Sequence, residues 1–171
     1  YCTPDSFGGF PQVSGIVYTI DGTKSYDAGD VYEGSTYHAP KTIRRVTIQS
    51  VGGKAFNLRT VYTIATNDFL AAGGDTYYAF AAATSKFDTG MTLDVAVMDY
   101  ITKELKGVIG EQYAAPQGRI SYFNPFKDVK TTSWYFNYMI HLYEAGVISG
   151  TSATTYTPDA KLSWAAALKL L

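Results

Sequence analysis

Apolar residues alternate with polar ones through the first third of the chain and switch to a helical period further on. Between Gly9 and Asp21, Val13, Ile16, Tyr18 and Ile20 fall mostly on one alternation, closed by Asp21-Gly22. That pattern predicts a strand ending in a turn. Residues 23–41 are polar, with Tyr, Gly and Pro interspersed, and read as a loop. Thr42 to Val51 alternates again, and Gly52-Gly53 supplies the positive φ that a tight hairpin turn requires. Leu58 to Thr66 reads as the returning strand. From Met91 to Leu105, apolar residues at 91, 93, 95, 97, 98, 101 and 105 include steps of four and seven. These predict an amphipathic helix with Asp88 or Thr89 as its cap.

Residues 107–125, with Pro116, Gly118 and Pro125, read as a connector that ends as a linker near Asn124-Pro125. Trp134 to Tyr143 has helical spacing, with Gly146 as its C-terminal cap. Ser163 is placed to cap a last helix running through Trp164 to Leu171. The chain opens Tyr-Cys-Thr-Pro and stops inside that helix, so the expectation is a piece of something longer at both ends. The fold class expected is α+β: a mixed-sheet first domain, residues 1–122, and a small helical unit, residues 123–171.

Composition narrows the functions available. The chain has 171 residues, 46% hydrophobic and 17% charged, with a net charge of -1. This argues for globular folding and against a nucleic-acid binder. No apolar run reaches the ~20 residues that span a bilayer, so no membrane span is expected. Fifteen tyrosines and nine phenylalanines enrich the chain in rings suited to half-wet grooves.

Cys2 has no partner for a disulfide and no neighbouring base, which argues against a nucleophile. His38 and His141 are about a hundred residues apart with no metal-ligand spacing around them. Arg44 and Arg45 are adjacent, so on a strand they point to opposite faces. Neither catalytic nor metal-binding residues are expected in this chain.

The most informative stretch is Asn67-Asp68-Phe69-Leu70-Ala71-Ala72-Gly73-Gly74-Asp75. It carries an aromatic ring and, six residues on, a carboxylate reached through two glycines that permit close backbone approach. Phe69 can stack on a flat ring while Asp75 accepts hydrogen bonds from paired hydroxyls. On the residues alone, the favoured reading is the plainer one: Phe69 is a core residue, Asp75 caps a turn and the glycines serve that turn.

Residues 8–15 (GGFPQVSG), 61–80 (VYTIATNDFLAAGGDTYYAF), 88–90 (DTG), 99–101 (DYI) and 118–120 (GRI) occur in an order that resembles the 5'-nucleotidase family. The likeness is to the second half of its C-terminal, substrate-binding domain. It implies that Phe69 forms one side of an aromatic clamp on a nucleobase and that Asp75 holds the ribose hydroxyls. Asn67, Gly73 and Gly74 complete the candidate substrate-binding set. The family's second clamp phenylalanine and its phosphate-binding arginines would precede Tyr1. So would the metallophosphoesterase domain, in which two divalent metal ions activate a water.

The tail resembles an S-layer homology (SLH) repeat, in Phe126-Lys127-Asp128-Val129, Trp134-Tyr135, residues 142–150 (LYEAGVISG) and residues 156–160 (YTPDA). The likeness implies helix anchoring by Phe126 and Trp134, turn shaping by Gly146 and Gly150, and loop closure by Tyr156 and Pro158. It also implies a place on a bacterial cell surface or wall, outside the cell, through wall polysaccharide. Where the family reads Thr-Arg-Ala-Glu, this chain has Ser163-Trp164-Ala165-Ala166. An indole stacks on a sugar but cannot pair with a carboxylate, so a packing role beside other repeats is expected of this one rather than direct binding of polysaccharide.

Two functions are implied by these resemblances. One is the nucleoside-recognising, wall-associated part of a secreted 5'-nucleotidase-type hydrolase of nucleotide phosphate esters, not catalytic by itself. The other is a non-catalytic wall-binding or interaction module on a nucleotidase-like scaffold. An incomplete domain is expected to expose an apolar face, covered by the preceding half-domain or by self-association.

Overall fold

A computed structural model describes residues 9–24, 28–31, 38–42 and 44–168. The expectations for Cys2, Leu170 and Leu171 lie outside the described residues. Two compact units divide the chain. One takes Tyr1–Ser14, Tyr26–Lys41 and Ala55–Arg119; the other takes Gly15–Ser25, Thr42–Lys54 and Ile120–Leu171. The fold class is α+β, a mixed sheet with a few helices.

The sheet contains β1 (Ile16–Ile20), β4 (Val46–Val51), β5 (Lys54–Ala55) and β6 (Ile120–Tyr122), in the order β5-β4-β1-β6. β1 pairs antiparallel with β4, from Ile16 opposite Val51 to Ile20 opposite Val46. It pairs parallel with β6, Tyr18 opposite Ile120. A bulge between Val17 and Tyr18 shifts the β1–β4 register. On one face the Thr19 hydroxyl meets that of Ser121 at 2.9 Å and receives a hydrogen bond from the Gln49 amide. This polar ladder crosses three strands, while Tyr18, the preceding residue along β1, turns the other way and is buried.

Gly52 and Gly53 both have positive φ, 58° and 74°, and they join β4 to β5 as the hairpin requires. The returning strand is a correction, since β5 is two residues long and Leu58–Thr66 is not a strand. Asn57 is the reason. Its Oδ1 accepts from the Arg59 N–H at 2.9 Å and its carbonyl from the Thr60 N–H at 3.0 Å. The resulting turn leads the chain off the ladder, leaving Leu58 and Val61 89% and 95% exposed.

Two further expectations need correcting. The polar stretch 23–41 holds a short antiparallel ribbon, β2 (Ala28–Val31) with β3 (His38–Pro40), so the backbone of His38 lies in a strand. The connector 107–125 contains a helical turn at Glu111–Tyr113 and ends in β6. A three-residue parallel strand is too short to show an alternation.

The helix foreseen over 91–105 is α3 (Leu93–Asp99), with Thr92 at its N-cap position but no side-chain capping bond, followed by a wider turn over Tyr100–Glu104 in which the Leu105 N–H reaches the Tyr100 carbonyl. Asp88 and Thr89 instead close small turns on Gly90 and Met91. The Thr92 hydroxyl and the Val95 N–H hold the Asp94 carboxyl below the usual carboxylate range. The Tyr100 hydroxyl, 2.8 Å from that of Tyr113, pushes the Tyr113 phenol up.

In the tail, α4 (Phe136–Glu144) supplies Phe136, Met139 and Ile140 to a core completed by Phe126 and Val129. The steps of three and four put these side chains on one face. Gly146 closes α4 in the left-handed conformation, φ 71°, and its N–H bonds the Tyr143 carbonyl. Trp134 is not an anchor: it lies in the turn ahead of α4, out of phase with the buried face, and is 84% exposed. Gly150 is required on steric grounds, because a Cβ there would stand 2.5 Å from the Phe126 ring. The last helix, α5 (Trp164–Leu168), starts after Ser163, whose carbonyl accepts from the Ala167 N–H.

Asp128 ties the tail loop to this core. Its carboxylate accepts from the backbone N–H groups of Tyr156 and Thr157, which hold its pKa below the ordinary value. The stabilisation is therefore complete above the unfolded-state value of about 3.9 and is lost as pH falls through the folded-state value. Asp128→Ala is expected to lower the unfolding midpoint at pH 7, with the difference from the parent protein narrowing as pH falls below about 3.9, checked by thermal denaturation across that range. Ile140→Ala removes a side chain 2% exposed in the same core. It is expected to cost about 2–5 kcal/mol in urea unfolding.

Candidate functional site

The segment 67–82 folds into three short pieces, each stopped by its own sequence. α1 (Asp68–Ala71) is capped by Asn67, whose Oδ1 accepts from the Leu70 N–H at 2.8 Å. Asn67, placed among the substrate-binding candidates, thus has its side-chain oxygen engaged in starting the helix that carries Phe69. Gly73, buried and at φ 97°, ends that helix in a left-handed turn. A Cβ on Gly73 would meet the Ala81 Cβ at 3.1 Å, so α1 and α2 (Tyr78–Ala81) approach each other at this glycine.

Gly74 plays a different part. A Cβ on it would stand 2.5–2.6 Å from three atoms of the Phe69 ring. The ring is therefore seated on the Gly74 backbone, yet it remains 56% exposed. Held from beneath and more than half exposed, it is not a core residue.

Asp75 comes next at φ 50° and Thr76 at φ 66°, two successive non-glycine residues in the left-handed region. Aspartate tolerates this region, but for β-branched threonine it is strained, by roughly 1–3 kcal/mol. Such a conformation persists only where its surroundings over-determine it. The constraints here include the Tyr77 N–H on the Gly74 carbonyl and the Tyr77 hydroxyl on the Gly9 carbonyl at 2.9 Å. The Tyr77 and Phe80 rings also pack at 5.1 Å. The carboxylate of Asp75 is exposed, on the same short loop as the ring.

Phe69, Gly73, Gly74 and Asp75 are thus brought together by α1 and the turn after it. Sequence reasoning missed Lys86, whose ammonium donates to the Ala71 carbonyl at 3.1 Å and the Ala81 carbonyl at 2.9 Å. A lone lysine in a polar run carries no spacing signal that could have revealed this. Among the described residues no three His, Cys, Asp or Glu side chains come together as a metal site. Nor is any helix among them long and apolar enough to cross a membrane.

Gly74→Ala is expected to displace the Phe69 ring, because the added methyl would occupy its place. Loss of the nuclear Overhauser contacts between the Phe69 ring and residue 74, with the tail core unchanged, would show it.

Residues 3–82 match the 5'-nucleotidase C-terminal domain, and residues 125–167 match the S-layer homology domain. The trifunctional nucleotide phosphoesterase protein YfkN of Bacillus subtilis (strain 168) is 34% identical over 132 residues, 74% of this chain and 8% of that protein. An endoglucanase of Bacillus sp. (strain KSM-635) is 65% identical over 34 residues, 20% of this chain and 4% of that protein. The chain thus spans a small fraction of either relative. No solved structure matches it. An S-layer homology domain implies attachment to a cell surface or wall. The chain thus joins sequence similar to a 5'-nucleotidase C-terminal domain to sequence similar to an S-layer homology domain.

Proposed function

We propose that this chain is the nucleoside-recognition and wall-attachment part of a secreted 5'-nucleotidase-type phosphoesterase, and that it is not catalytic by itself. The observation that carries the reading is the Phe69 ring, seated on Gly74 with its outer face open and Asp75 exposed on the same loop. A nucleobase stacks on that ring, and the Asp75 carboxylate accepts hydrogen bonds from the two ribose hydroxyls. One contact reads the flat base and the other the sugar. Neither touches phosphorus, so the pair contributes binding and orientation.

Hydrolysis needs a metallophosphoesterase domain outside this chain, where two divalent ions supply an activated water. The nucleotide phosphoesterase relative supports that setting, because the likeness extends over most of this chain. The exposed apolar residues of α3, Leu93, Val97 and Met98, support a covering partner, either the preceding half-domain or a second copy of the chain. In the tail, wall polysaccharide is the partner, and Trp164, exposed at the start of α5, offers it a stacking face in place of a charge.

Calorimetric titration of the 171-residue chain with adenosine tests the reading. Phe69→Ala is expected to weaken binding by about tenfold or more, the worth of one stacked base. Asp75→Ala is expected to weaken it by a similar factor and to abolish preference for adenosine over 2',3'-dideoxyadenosine. A chain that binds neither nucleoside would overturn recognition and leave a wall-attachment module.

A further inference from the structure

The geometry points to Lys86 as the positioning residue of the nucleoside loop: its ammonium clasps α1 and α2 and so sets Phe69 relative to Asp75. This inference rests on the nucleoside reading above. Each of the two helices is four residues long, far below the length at which a helix is stable alone. Each also leaves carbonyls at its C-terminal end without helical partners. Lys86 donates to one such carbonyl from each helix, Ala71 of α1 and Ala81 of α2. These are two residues beyond Phe69 and six beyond Asp75. One cation therefore holds both ends of the segment 71–81, which begins two residues after the ring and contains the two glycines and the strained Asp75-Thr76 pair.

The chemistry suits a lysine. An ammonium has three donors and no fixed plane, so it can serve two carbonyls that face it from different helices. Gly73 brings the same two helices close enough for one side chain to span them, since a Cβ there would meet Ala81 at 3.1 Å. Without the clasp, the Asp75-Thr76 turn can relax out of its left-handed conformation, and the carboxylate then moves relative to the ring. Lys86 itself is exposed, so water can satisfy both carbonyls when it is removed. The loss should therefore fall on loop geometry rather than on global stability.

The test uses the 171-residue chain with Lys86→Met, which keeps the aliphatic stem, and Lys86→Arg, which keeps donors and charge. Hydrogen exchange reads the clasp directly. In Lys86→Met the amides of Ala72, Gly73, Ala82 and Ala83 are expected to exchange faster together, and in Lys86→Arg to keep their protection. Adenosine titration reads the consequence. Lys86→Met is expected to bind about tenfold more weakly, the factor that one ordinary hydrogen bond is worth. Its thermal midpoint should be unchanged, and Lys86→Arg should restore affinity.

Unchanged exchange in Lys86→Met overturns the clasp whether or not nucleoside binds. Faster exchange with undiminished adenosine affinity overturns the positioning role alone. Faster exchange in a chain whose unsubstituted form binds no adenosine overturns the nucleoside reading and the positioning role with it.

Discussion

A phenylalanine ring resting on the bare backbone of a glycine sets the geometry at the centre of the tail and again at the candidate site. In the tail, Phe126 lies against Gly150, which brings the Gly150–Thr155 loop onto the core. Tyr143 and Tyr156 then close on the other sides of the Phe126 ring, with centroids 5.0 and 5.3 Å away. Asp128 fastens the same loop from outside by accepting the Tyr156 and Thr157 amides. A Cβ at position 150 would also collide with the Thr155 and Ser152 carbonyl oxygens, so no larger residue fits. Close packing of this kind leaves the tail little freedom to rearrange.

At Phe69 the same contact has the opposite outcome for exposure. Gly74 supports one side of the ring and nothing covers more than half of it, whereas Phe126 is almost wholly enclosed. The difference lies in the path of the chain after each glycine. After Gly150 the chain folds back over the ring through a polar network of Thr151, Ser152 and Thr155. After Gly74 it turns away through two left-handed residues toward α2. The strain at Thr76 makes that departure hold a direction that unstrained backbone would not choose. An open ring and an exposed carboxylate are thereby kept on one small loop.

The second unit also shows how the tail helix meets the sheet. Tyr122, at the end of β6, meets the His141 ring of α4 edge-on at 6.1 Å. The Glu144 carboxylate of α4 lies over Gly22, just beyond β1, where a Cβ would collide with it. Sheet and helix share one unit because these contacts come from both sides of the Asn124-Pro125 segment.

What the sequence determined by itself was whatever depends on neighbouring residues. The alternation around Ile16–Ile20 and Val46–Val51, the Gly52-Gly53 turn, the buried stripe of α4 and its Gly146 cap are local matters of period and φ. The grouping of Phe69, Gly73, Gly74 and Asp75 was legible for the same reason, since all lie within seven residues. Tertiary structure decided the rest. Leu58–Thr66 has the composition of a strand, yet Asn57 turns it from the ladder and no strand among the described residues pairs with it. β6 exists only because β1 offers a free edge about a hundred residues earlier. Trp134 has the look of an anchor and faces outward, because its position is out of phase with Phe136 and Ile140. Lys86 acquires a role only when two short helices, brought together at Gly73, turn their last carbonyls toward one side chain. Spacing along a chain reports faces and turns, but a partner fifteen or a hundred residues away is chosen by packing.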